Sequence, residues 1–348
     1  MPSASARLLR PGVMACLAVA LAACGTTAPV GHSSGFRSTP AGVSSAQAAP
    51  AVPSRTSVAP AASQASPRFI VKPSPLRLPV PTSRSVALPS GSSILLAGGL
   101  TSAGTTGAVI RIPVTGAHPT TVGRLSHPVH DAAGAALNGS LLVFGGGATT
   151  QDAWVQRVPL NGRASSVPGR LPAARADLGA VTVGSEVIVV SGGAGGRPDP
   201  RVLATSDGVH FRLVARLLVA VRYAAVAAVG GDSVVVIGGT SAAGDVATIQ
   251  AVDVRTGATK VVGRLPRAIS HATALAIGGS IVVAGGRHAG RALDTVIAVD
   301  PATFAVRTVG RLPRALSDAA GVVVDGVGYL VGGEAARALS TIETIAAV

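Results

Sequence analysis

Short apolar runs recur along the chain, each closed by a pair of glycines and followed by a polar stretch. Ile94-Leu95-Leu96-Ala97-Gly98-Gly99 is the first, and Leu142-Val143-Phe144-Gly145-Gly146, Val189-Val190-Ser191-Gly192-Gly193, Val235-Val236-Ile237-Gly238-Gly239, Val282-Val283-Ala284-Gly285-Gly286 and Tyr329-Leu330-Val331-Gly332-Gly333 follow. From one first glycine to the next the steps are 47, 47, 46, 47 and 47 residues, and self-similarity at such a period marks a repeat architecture. Within a unit a first apolar run, such as Ala319 to Val324, meets a turn, Asp325-Gly326, and then the run that ends at the glycines. A third run, Thr295 to Val299, is joined by Asp300-Pro301-Ala302-Thr303 to a fourth at Ala305 to Val309. Short segments of this kind, evenly spaced and separated by Gly and Asp turn signals, predict β-strands. Continuous apolarity in the inner runs predicts sheets covered on both faces. Four strands per unit is the blade of a β-propeller, so the pattern predicts an all-β, six-bladed propeller.

A second marker closes the units: Gly123-Arg124-Leu125, Gly169-Arg170-Leu171-Pro172, Gly263-Arg264-Leu265-Pro266 and Gly310-Arg311-Leu312-Pro313, with Arg216-Leu217-Leu218 as a degraded copy. The sixth unit stops after its third run, Ile342 to Val348, whereas Phe69-Ile70-Val71 and Leu76-Arg77-Leu78-Pro79 match a fourth strand and its exit but precede the first unit. The N-terminal strand is therefore expected to complete the last blade and remove an exposed sheet edge. The paired glycines are expected to be structural, serving positive φ or close backbone approach, since no Gly-Lys-Ser/Thr follows them as a phosphate loop requires.

Ahead of the repeats, Arg7 and Arg10 precede an apolar stretch from Val13 to Leu21 and the small residues Ala22 and Ala23, the order of a secretory signal peptide. The end of this stretch, Leu21-Ala22-Ala23-Cys24-Gly25, resembles the lipobox of bacterial lipoproteins. That resemblance implies cleavage before Cys24, acylation of its thiol and anchoring on the outer face of the cell membrane. The alternative is an ordinary signal peptide with an incidental cysteine. Residues 24–67 are nearly all Ala, Ser, Thr, Pro, Gly and Val, a composition that cannot bury a core and predicts a disordered tether, or else a recognition segment in its own right. Roughly 40 flexible residues reach about 35 Å. The expected organisation is thus a signal segment over 1–23, a tether over 24–67 and the propeller over 68–348. Cys16 lies in the segment to be removed, so no disulfide or redox pair is expected after cleavage.

The repeats resemble kelch repeats in their double glycine after a strand, the turn Asp300-Pro301-Ala302-Thr303 and the Leu-Pro-Arg steps Leu265-Pro266-Arg267 and Leu312-Pro313-Arg314. The resemblance covers the whole repeat region and implies a kelch-type six-bladed propeller, the fold of the central domain of galactose oxidase. Kelch repeats usually carry a tyrosine before the double glycine and a tryptophan near the fourth strand. Here only Tyr329 matches the first, and Trp154 lies elsewhere, so Val, Leu, Ile and Ala must fill the blades.

In a kelch-type propeller the loops leading into the first strands share a face with the loops after the double glycines, the usual binding surface. The lead-ins here are Arg84-Ser85, His130-Asp131, Arg175-Ala176-Asp177, Arg222-Tyr223, Ser270-His271 and Ser317-Asp318, with Arg267 and Arg314 beside them. Repeat symmetry gathers them at one mouth of the central channel, and arginine forks suit carboxylate or phosphate. The plainer expectation is that these side chains pair with one another. Asp131, Asp177 and Asp318, with His271, offer a calcium-like site only if their distances close; no metal or cofactor is expected. Galactose oxidase chemistry needs a copper site with a cysteine crosslinked to tyrosine, and the propeller over 68–348 has no cysteine. Paired-carboxylate glycosidase chemistry needs two flanking acids, and the only glutamates, Glu186, Glu334 and Glu343, head no first strand. Ser206-Asp207-Gly208-Val209-His210-Phe211 faintly resembles a sialidase Asp-box, itself a structural turn. Without Arg7 and Arg10 the chain keeps 27 basic against 15 acidic residues, a net charge of +12, which favours anionic lipid or wall polymer. Secretion and scarce aromatics disfavour nucleic acid. The expectation is a monomeric, membrane-anchored, non-enzymatic binding module for a protein or an anionic envelope polymer. The alternative is an extracytoplasmic enzyme acting on a sugar or sugar acid at the channel mouth.

Overall fold

The computed structural model describes residues 67–161 and 165–348; the expected signal segment, Cys24 and the tether up to residue 66 lie outside the described residues. Six antiparallel sheets follow one another in chain order, each built on four strands, with the short Arg197–Pro198 added to the third. Blade 1 is built from Val86–Ser90, Ser93–Ala97, Ala108–Pro113 and Thr120–Arg124, and blade 2 from Ala133–Leu137, Ser140–Phe144, Trp154–Pro159 and Ser166–Arg170. Blade 3 uses Ala176–Val183, Glu186–Ala194, Arg201–Thr205 and Arg212–Arg216, and blade 4 Ala225–Val229, Ser233–Ile237, Thr248–Asp253 and Thr259–Arg264. Blade 5 uses Thr273–Ile277, Ser280–Ala284, Thr295–Val299 and Val306–Arg311. Blade 6 takes Ala320–Val324, Val327–Val331 and Thr341–Ala347 from the C-terminal end, and its outer strand is Phe69–Arg77. The ring therefore closes as the sequence predicts, with Phe69 opposite Ala347 and Pro73 opposite Glu343.

Each second strand is buried on both faces because alternate side chains serve different neighbours. In blade 1, Ile94 and Leu96 pack with blade 6, whereas Leu95 and Ala97 pack with blade 2. The same division recurs around the ring and gives six hydrophobic clusters, one at every blade-to-blade interface. Six first strands surround an axial channel walled mainly by small residues such as Ala87, Ala136, Ala180 and Ala274. The leucine of each closing marker anchors the exit from its blade: Leu78, Leu125, Leu171, Leu217, Leu265 and Leu312 are all buried, and their N–H groups donate to Ser340, Gly107, Ala153, Pro200, Ala247 and Asp294.

The paired glycines sit where one blade touches the next. A Cβ on Gly98 would stand 2.5 Å from the Val129 carbonyl oxygen of the loop leading into blade 2, while the Gly99 N–H donates to that same oxygen at 2.8 Å. In blade 3 the bond to the next lead-in loop, at Val221, comes from Gly192, so Ser191, at φ 60°, takes the first glycine's place. The structural steps between first positions are thus 47, 46, 47, 47 and 47, one residue out of phase with the glycine count at the third repeat.

Candidate functional site

One residue of each lead-in loop adopts left-handed backbone: Arg84, Asp131, Asp177, Tyr223, His271 and Asp318, with φ of 57°, 54°, 61°, 53°, 57° and 57°. Such φ costs a non-glycine residue roughly 1–2 kcal/mol, and here the cost recurs at every blade. The six are joined into a closed circle of backbone hydrogen bonds. Asp131 N–H donates to Arg84 O (3.2 Å), Asp177 to Asp131 (2.8 Å), Tyr223 to Asp177 (3.0 Å), His271 to Tyr223 (2.9 Å), Asp318 to His271 (3.1 Å) and Arg84 to Asp318 (2.9 Å). Each N–H and C=O that the turn exposes is thereby used.

All six side chains line one small cavity of about 110 Å³ at the channel mouth. Arg84 Nη1 lies 3.1 Å from Asp131 Oδ2, and its Nε lies 3.4 Å from Glu334 Oε2. Arg222 Nε donates to Asp177 Oδ2 at 2.6 Å and its Nη2 to the Tyr223 hydroxyl at 3.1 Å. The Tyr223 ring stacks on His271 with centroids 3.8 Å apart, and Ser270 Oγ is 2.9 Å from His271 Nδ1. Arg287 Nη2 reaches both Asp318 Oδ2 (3.0 Å) and Glu334 Oε1 (3.2 Å). Beside the mouth, His130 Nε2 is 3.6 Å from Asp131 Oδ2, and a second cavity of about 120 Å³ opens against His130, Gln151 and Arg222.

Burial governs the protonation of this network. It pushes Asp131 up to about 7, helped by the negative Asp177 and Asp318 and opposed by Arg84. Tyr223 is pushed up to about 12 by burial and by the same kind of acidic neighbours, Asp177 and Asp131. His130 and His271 are held below the usual histidine value, again chiefly by burial. For Arg84 burial works against the charge, but Asp131, Asp318 and Glu334 together outweigh it and raise the guanidinium.

The remaining expected residues lie elsewhere. Arg175 is fully buried, with its Nη2 2.5 Å from Asp199 Oδ2 and its Nη1 directed at the Ser191 and Arg201 carbonyls. It occupies the position held by Thr82, Val129, Val221, Ile269 and Leu316 in the other lead-ins, all buried, and so it belongs to the blade interior and not to the face. Arg267 and Arg314 are exposed on the equivalent loops before blades 5 and 6, outside the mouth. The three acids do not gather into a cation site: among the described residues no group of three His, Cys, Asp or Glu side chains could hold a metal ion. The Asp-box-like segment is a turn, in which Asp207 Oδ1 accepts from the backbone of Val209 (2.8 Å) and His210 (2.9 Å).

Arg287 and Glu334 are the residues that the sequence reading missed. Each directly follows a double glycine and pairs there with a lead-in loop, Arg287 with Ser270 and Glu334 with Ser317. Their shared mark in the sequence is a position alone, one place beyond the glycines.

Comparison with known proteins agrees with this fold. The Kelch motif profile matches residues 268–313, which is blade 5 with its lead-in loop. The solved "Structure of YjhT" is similar over 76% of this chain and 95% of its own, with a TM-score of 0.66 at 15% identity, a likeness of fold. No curated protein matches the sequence.

Proposed function

We propose that this six-bladed propeller, with its kelch motif in blade 5, is a binding module displayed outside the cell membrane on a lipid-anchored tether, and that its partner is a protein or an anionic envelope polymer. The observation that supports this reading most is the self-paired mouth. Arg84, Arg222 and Arg287 are each committed to acids of the same circle, and the space between them is about 110 Å³. Small-molecule sites usually enclose roughly 300–1,000 Å³, so this mouth is a poor container for a sugar ring undergoing chemistry. A rigid polar surface whose charges are held in place favours recognition by a larger partner, since little side-chain freedom remains to be lost on contact. The net positive charge adds attraction to anionic surfaces.

The test is capture from a cell-envelope extract by the full chain in detergent, beside a variant with Arg84, Arg222 and Arg287 changed to glutamine. A component retained by the first and at least tenfold depleted from the second supports the module. Identical capture by both, or none by either, overturns this face as the binding face.

A further inference from the structure

The seam where the ring closes holds a larger space than the mouth. Between the loops of blades 6 and 1 an open groove of about 550 Å³ runs outward from Glu334. Pro81, Leu100 and Leu339 give it an aliphatic wall, and Arg314 and Arg337 stand along its blade 6 side. The groove's one carboxylate, Glu334, is already neutralised on the mouth side by Arg84 and Arg287. Among the described residues, neither the Arg314 nor the Arg337 side chain makes a hydrogen bond or ion pair, and both are exposed. A further acid that feels the charge of Arg314 is the buried Glu343. Two unpaired guanidinium forks at an aliphatic groove therefore leave positive charge unanswered in a space large enough for several residues of chain.

We propose that this groove captures the free carboxylate end of a peptide, with Arg314 and Arg337 on the carboxylate and an adjoining aliphatic side chain on Pro81, Leu100 and Leu339. Planar forks favour a carboxylate, which two arginines hold with directed, charge-assisted bonds. No aromatic side chain lines the groove, so it lacks the flat platform on which a sugar ring stacks, whereas methyl-rich walls suit Leu, Val or Ala. The peptide end has two possible sources outside the cell, the C-terminus of a protein or a short peptide carried on a wall polymer. The inference rests on the reading of this face as the binding face and specifies its ligand.

Titration calorimetry on the full chain in detergent tests it with Gly-Ala-Leu as the free acid, Gly-Ala-Leu amide and inorganic phosphate. Binding of the acid at least tenfold tighter than the amide or phosphate is expected, with loss of tenfold or more in Arg314→Ala/Arg337→Ala and no change in Arg311→Ala, whose guanidinium faces Asp294 outside the groove. Equal binding of acid and amide, preference for phosphate, or indifference to the double substitution overturns the proposal, and the first comparison needs no variant to fold. Purified protein with a long acidic-ended polypeptide, and with peptide-bearing wall fragments, then separates the two sources. Failure here with successful envelope capture overturns the groove alone; peptide binding without envelope capture overturns the mouth reading alone.

Discussion

Arg175 is the only one of the six equivalent lead-in residues that buries a charge. Its guanidinium shares Asp199 with Arg201, and its Nε has no partner among the described residues. Burial holds its pKa below the ordinary arginine value, with Asp199 opposing that shift and Arg201 adding to it. An apolar side chain in place of Arg175 leaves Asp199 still paired with Arg201, so no unpaired charge is buried, whereas truncation to alanine also opens a cavity at a cost of about 2–5 kcal/mol. Arg175→Ala should therefore lose about 3 kcal/mol in urea unfolding, and Arg175→Leu, matching Leu316 in the last lead-in, should stay within about 1 kcal/mol of the parent. A leucine variant as damaged as the alanine one would show that the blade needs the charge. The misplacement of this residue has a clear source. The stretch Arg175-Ala176-Asp177 is polar at both ends, and only the backbone bond from Gly146 to the Arg175 carbonyl reveals that the arginine stands two places before the turn, in the aliphatic register. The turn residues were readable because repeat phase alone sets them; Arg287 and Glu334 were not, since blades 1 to 4 place Leu100, Gly147, Gly193 and Thr240 at the corresponding position and share no chemistry there.

At the scale of the strand, the second residue beyond the start of each third strand alternates around the ring: Ile110, Gln156, Leu203, Gln250, Ile297 and Glu343, all buried. Gln156 clamps the loop peptide at His127, accepting its N–H at 2.8 Å and donating to its carbonyl at 2.9 Å. Gln250 does the same at Val219. Glu343 holds the same place before Arg314, but a carboxylate has no proton to donate, and its Oε2 has no partner among the described residues. Burial raises its pKa, against the pull of Arg314 and Arg77. A folded-state pKa above the unfolded value means that the stabilising protonated form is fully present at low pH and lost as pH rises through the folded value. The parent should therefore lose more stability over that rise than Glu343→Gln, which keeps the fall set by Asp131 and should melt a few degrees higher at neutral pH, on the order of 1–2 kcal/mol. Melting curves across pH 4 to 8 check both statements; parallel curves for the two proteins would remove this role. The strand pattern itself was legible, since period-two burial and turn residues act locally. The clamp was not, because it joins residues about 30 apart whose pairing depends on the turn between blades.

For the whole molecule the decisive strand is the one contributed from the N-terminal side. Phe69 and Val71 pack into the cluster between blades 5 and 6, and Arg68 and Val348 exchange backbone hydrogen bonds at the far end of the pairing. Deleting Arg68 to Pro75 from the full chain should lower the melting temperature by about 10 °C, given roughly 1.5–3 kcal/mol per buried apolar side chain and 0.5–1.5 per hydrogen bond. An unchanged melt would mean that blade 6 stands without its outer strand. Closure was readable in advance because a lone fourth-strand pattern before the first repeat has no other place to go.

The circle of six hydrogen bonds at the mouth is directional, every N–H pointing to the preceding blade. Peptide dipoles of about 3.5 D set head to tail along a helix add up to a charged end; bent into a closed loop, their vectors cancel. Around the ring, therefore, the backbone collar has no charged end of the kind a helix presents. The charges that the mouth presents are those of the side chains at and beside positions 84, 131, 177, 223, 271 and 318, and they can be rewritten by substitution while the collar that carries them stays closed.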